Sequence, residues 1–138
     1  MGLSLDDFAG AWRLNCEIAD HLTGQIAQFV GEGRLHLSQN ESAVWLERGE
    51  MRIGAGPVMQ AERRYLWAQD GARIHVSFGD GRPFHSFAPD GAPQAMHWCD
   101  PDDYRVRYDF TGWPTWRTTW RVKGPRKDYE MTTTATRP

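Results

Sequence analysis

Asp103-Tyr104-Arg105-Val106-Arg107-Tyr108-Asp109-Phe110 alternates polar and bulky apolar side chains, and after a Gly112-Trp113-Pro114 break Trp116-Arg117-Thr118-Thr119-Trp120-Arg121-Val122-Lys123 does so again. Successive side chains on a strand point to opposite faces, so a period of two predicts antiparallel strands with one buried and one wet face. Tyr104, Val106, Tyr108, Phe110, Trp116, Trp120 and Val122 are expected inside; Arg105, Arg107, Arg117 and Arg121 are expected to face water. Register slips exchange whole faces, so this assignment holds or fails as a block. Aromatic rings lining the inside of a closed sheet make a small-molecule pocket.

Outward from this stretch the same alternation recurs between turn signals. The predicted strands are Ala11–Ile18, Gln25–Ser38, Ala43–Ile53, Met59–Ala68, Arg73–Phe78, Phe84–Phe87, Gln94–Cys99, Tyr104–Phe110, Thr115–Val122 and Lys127–Arg137. Their separators, among them Gly54-Ala55-Gly56-Pro57, Gly79-Asp80-Gly81 and Asp100-Pro101-Asp102, are rich in residues that supply positive φ, a preset φ or side-chain bonds to the backbone. The only helix signal is Ser4 with Asp6, Asp7 and Phe8, enough to cap one short turn within Leu3–Ala9. Ten short strands with no crossover helix predict an all-β, antiparallel, up-and-down barrel, formed by residues 1–138 as one domain. Alternate glycines in Phe29-Val30-Gly31-Glu32-Gly33-Arg34-Leu35 support closure, because a barrel strand needs a place to bend sharply.

Composition narrows the partners. The 138 residues carry a formal charge of -2, so no global field attracts nucleic acid or an anionic membrane, and neither is expected as a partner. No apolar run approaches the ~20 residues of a spanning helix, and Met1–Asp7 has no signal-peptide character, which reads as a cytoplasmic protein. Cys16 and Cys99 lack metal-type spacing and are expected to be free thiols, with Cys99 small and buried. No cofactor motif is present, and oligomeric state is left open.

Gly10-Ala11-Trp12 at the start of the first strand, with Arg137 at the end of the last, resembles the lipocalin and calycin signature. That resemblance implies an indole across the closed end of the barrel with the late arginine packed over it. Phe78-Gly79-Asp80-Gly81-Arg82-Pro83-Phe84-His85, His97 to Tyr104 and Trp120 to Tyr129 resemble a family of small proteins known only as a domain of unknown function. The resemblance implies the same barrel and a ligand-sized interior. It transfers no catalytic residue.

Candidate site residues follow from register. A symmetric Gly54–Pro57 turn sets Met51 opposite Met59, Glu47 opposite Arg63 and Trp45 opposite Tyr65, with Trp67 on the same side. Acid and base among rings suit the polar head of a ligand, while the bland alternative is an exposed cross-strand pair. His75 and His85 would be opposite one another across a three-residue loop, with His97 on the next strand, a geometry a metal could use; a two-residue turn would instead part them. His97 and Cys99 share a strand face, which suggests a Cys-His pair. A basic outer face beside an exposed Trp113 could contact RNA, against which the interspersed acids argue.

The expected function is binding of a small amphipathic or hydrophobic molecule in the barrel lumen. Its apolar part would meet Trp45, Tyr65, Trp67, Tyr108, Trp116 and Trp120, and its polar part Glu47, Arg63, His85, His97 or Cys99. The alternative is a barrel enzyme of isomerase, cyclase or hydrolase type using His85 and His97 as acid and base or as metal ligands. A third reading has the lumen filled by its own aromatic side chains.

Overall fold

A computed structural model describes residues 2–138. Ten strands form one antiparallel sheet: β1 (Gly10–Asp20), β2 (Ile26–Leu37), β3 (Ser42–Ile53), β4 (Val58–Asp70), β5 (Arg73–Phe78), β6 (Pro83–Phe87), β7 (Gln94–Cys99), β8 (Asp102–Asp109), β9 (Trp116–Lys123) and β10 (Asp128–Thr136). The sheet order is β6-β5-β4-β3-β2-β1-β10-β9-β8-β7, so strands adjacent in sequence pair with each other everywhere except between β6 and β7, and β1 also pairs with β10. This is the predicted up-and-down barrel, with strand boundaries within two residues or so of those read from the sequence. The helix signal becomes a single 3-10 turn, Leu5–Phe8, in which the Asp7 carboxylate accepts from the Ser4 N–H at 2.8 Å.

Closure is incomplete at one place. β6 and β7 are the two edges of the sheet and share no backbone ladder. Side chains close the seam instead: Phe84 meets His97 edge-on at 5.3 Å, and Phe87 stacks on Tyr108 at 4.0 Å.

One end is sealed by the N-terminal turn. Phe8 and Trp12 are fully buried, and the Trp12 indole donates to the Phe8 carbonyl at 2.9 Å. The Arg137 guanidinium lies 3.7 Å from the centre of the Trp12 ring and donates to the carbonyls of Asp7, Ala9 and Ala11. Cation and ring are thus locked together by three carbonyls, as the Gly-x-Trp resemblance implies. Trp113, expected to be exposed, is half-buried and packs on Phe8 and Trp12 at 5.0 and 5.5 Å.

The inside and outside of β8 and β9 are as the alternation predicts. Val106, Tyr108, Phe110, Trp116 and Val122 are buried, Tyr104 and Trp120 are half-buried, and Arg105, Arg107 and Arg117 are exposed. Arg121 also lies on the outer face but is half-buried, since it bonds Asp128 and the carbonyls of Val122 and Tyr129.

Glycines open the interior at two levels. Gly31 and Gly49 face each other across β2 and β3, where a Cβ on Gly31 would lie 2.7 Å from the Gly49 Cα. At Gly33 a Cβ would come within 2.5 Å of the Trp45 ring, so the missing side chain is what lets that indole lie flat against β2.

Candidate functional site

The β3–β4 pairing has the register that a symmetric turn requires: Met51 with Met59, Glu47 with Arg63, Trp45 with Tyr65. Glu47 is buried, 8% exposed, and fully engaged. Its Oε2 accepts from the Trp45 indole at 2.7 Å; its Oε1 accepts from Arg63 Nε at 3.1 Å and Nη2 at 2.8 Å. Burial works against the Arg63 charge, but Glu47 beside it outweighs that effect and raises the guanidinium pKa above its ordinary range.

This pair divides the lumen. On the sealed side lies an inner chamber of about 40 Å³ that Trp45, Tyr65, Trp67, Tyr108, Trp116, Trp120 and His85 help to line. On the other side lies an outer chamber of about 60 Å³, bounded by Cys16, Ile18, Phe29, Met51, Ala61 and Met131. Glu47 and Arg63 line both. Every residue expected at the ligand site therefore borders the inner chamber except His97 and Cys99. The lumen is mostly filled by rings, as the third reading had it, yet not entirely.

His97 points into the seam, against Phe78, Phe84 and Tyr104 at 5.9, 5.3 and 5.9 Å. Cys99 is exposed at the end of β7, so it is neither buried nor part of a nucleophile pair at the chamber. The histidine expectation fails for an identifiable reason. Ser77 pairs with Pro83, and an unbroken ladder from there would set His75 opposite His85; instead Phe84 is an extra residue, and His85 pairs with Val76. This bulge turns both Phe84 and His85 inward. His75 stays outside, 3.3 Å from the Asp70 carboxylate. Among the described residues no cluster of histidine, cysteine and acidic side chains comes together that could hold a metal.

His85 has a partner the sequence did not reveal. Its Nε2 lies 2.7 Å from the Tyr108 hydroxyl, across the seam from β6 to β8. Burial, and secondarily the nearby His97 imidazole, pull the His85 pKa down to about 4, so the ring is neutral at pH 7. Burial likewise pushes Tyr108 well above the ordinary phenol range. Among the described residues, two buried polar atoms of side chains that line the chamber have no hydrogen-bond partner: His85 Nδ1 and Trp116 Nε1. Each costs about 1–3 kcal/mol unless something in the chamber satisfies it. Leu14, Val76, Phe84, Thr118, Thr133 and Ala135 complete the lining and were not among the expected site residues. Alternation from Trp12 along β1 and back from Arg137 along β10 would have found Leu14, Thr133 and Ala135.

Residues 8–137 match the sequence profile of the Family of unknown function (DUF6314), so the chain belongs to that family. Among solved structures, the S-type phycobiliprotein lyase CPES from Guillardia theta superposes with a TM-score of 0.64 at 10% identity, over 97% of this chain and 90% of that chain. The redesigned beta barrel mFAP1, bound to DFHBI, aligns with a TM-score of 0.46 at 13% identity, over 97% and 98% of the two chains. At such identity the likeness to the lyase is one of fold alone. Comparison with curated proteins finds no match.

Proposed function

We infer that this member of the family is a binding protein for a small amphipathic molecule held in the barrel lumen. The observation that supports this most is the pair of unpartnered polar atoms, His85 Nδ1 and Trp116 Nε1, on side chains of a largely aromatic wall. A lumen needed only as a core would be more stable with apolar groups there. Neither chamber as it stands reaches the roughly 150 Å³ that admits benzene, so the ligand enters by moving side chains.

Native mass spectrometry of the protein purified from its own source should find an organic species bound. Titrating that species into the emptied protein should quench tryptophan fluorescence. His85→Ala should then weaken binding by about 1–3 kcal/mol, the cost of an unpaired buried partner, with the fold retained. Equal affinity in wild type and mutant would remove His85 from the site.

A second reading is acid–base chemistry, favoured by the 2.7 Å contact of His85 with Tyr108. His85 would serve with Tyr108 rather than with His97, because His97 does not border the chamber. Turnover of the recovered ligand, lost in Tyr108→Phe, would distinguish it from simple binding.

A further inference from the structure

The aromatic lumen already holds a cation, supplied by the chain itself. The Arg63 guanidinium lies 5.2 Å from the centre of the Trp120 ring and 5.8 Å from that of Tyr65, with Nε and Nη2 on a single Glu47 oxygen. The two partners are not equally fixed. Glu47 has its own anchor in the Trp45 indole and a side chain 11% exposed, whereas the Arg63 side chain is 36% exposed. The further contact of Arg63, through Nη1, is to the Met131 thioether at 3.7 Å, a weak acceptor.

Glu47 and Arg63 are the residues that line both chambers, so withdrawing the guanidinium would clear one of the two side chains at their boundary. Electrostatics then selects the occupant. A buried carboxylate stripped of its partner is costly, so Glu47 demands a replacement cation, and the negative faces of the surrounding rings favour one as well. An anion drawn to Arg63 would have to sit beside the Glu47 carboxylate, which is the better-held member.

We propose that the lumen is a cage for an organic cation of the amidinium or guanidinium type on a planar body, and that Arg63 fills the cage in the empty protein as a stand-in which the ligand displaces toward the outer chamber. The proposal rests on the lumen binding inferred above and adds the charge and class of the ligand. The rest of the ligand is neutral, for two reasons. The His85 end of the chamber disfavours charge, and Trp116 Nε1, which can only donate, calls for a neutral acceptor.

Benzamidinium and benzoate are matched in shape and opposite in charge. Each is titrated into wild type, Arg63→Ala and Glu47→Gln, read by tryptophan fluorescence and by the thermal midpoint. Arg63→Ala should have a lowered midpoint, bind benzamidinium at least tenfold more tightly than wild type, and be restabilised by it but not by benzoate. Glu47→Gln should lose benzamidinium binding. A folded Arg63→Ala that ignores benzamidinium, or a preference for benzoate in any folded variant, overturns the proposal. If Arg63→Ala does not fold, wild type decides: at least tenfold preference for benzamidinium supports the cage, and anything less overturns it. A native ligand that is neutral or anionic and sits in the lumen would sink the cage and leave lumen binding standing; a lumen that takes no ligand of any class removes both.

Discussion

His85 shows how one residue depends on a shift of one position in a ladder. Its place in the sequence, just after the Gly79–Gly81 turn, identifies it as a residue near a pocket, but the bulge at Phe84 decides which strand neighbour it meets and which way it faces. Once inside, its imidazole is held neutral to about pH 4, against an ordinary value of 6.5. Between those values the unfolded chain binds a proton that the folded protein refuses. Stability therefore rises with pH across that window and is lost as pH falls from about 6.5 toward 4. The gap corresponds to about 3 kcal/mol at most. Urea denaturation from pH 7 to pH 4 should show wild type losing up to that much more stability than His85→Phe. Parallel curves for the two proteins would show that the imidazole is not held neutral. Glu47 and Arg63 are the opposite case: a turn of the right symmetry in the sequence was enough to pair them.

At the scale of elements, β2 and β3 make a close backbone approach. Gly31 and Gly49 meet where a side chain on either would run into the other strand's backbone. Backbone cannot step aside as a side chain can, so Gly31→Val should cost about 3 kcal/mol, the upper part of the range for overpacking, as seen in a chemical denaturation midpoint. Loss of less than about 1 kcal/mol would mean that the strands part freely. The alternate glycines were visible in the sequence as a barrel bend. That Gly33 also makes room for the Trp45 indole was not, because the contact joins positions whose register depends on the whole sheet.

For the whole molecule the unpaired seam is the feature that governs opening. β1, β2, β3 and β10 are each hydrogen-bonded to two neighbours, whereas β6 and β7 each have one and meet through side chains such as Phe84 and His97. Native-state hydrogen exchange should find the amides of β6 and β7 exchanging through low-energy local openings, while those of β1–β3 and β10 exchange only with global unfolding. Uniform protection around the barrel would contradict the seam. Ligand held in the lumen should raise protection across β6 and β7 first, because His85 and Tyr108 reach the chamber from either side of that gap.

The Trp12 plug under Arg137 was legible only through the resemblance to the lipocalin and calycin signature; by itself the sequence determined what depends on a period of two and on turn chemistry: ten antiparallel strands, the inward aromatic set and the Glu47–Arg63 pairing. These are local patterns, or one hairpin away from local. The tertiary structure alone decided that β6 and β7 fail to pair, that Phe84 is extra and so separates His75 from His85, that Cys99 ends up outside, and that the Glu47–Arg63 pair splits the lumen into two small chambers. Those features depend on how far the sheet curls before its edges meet and on how side chains from opposite walls fill the space between. No spacing along a single strand encodes either quantity.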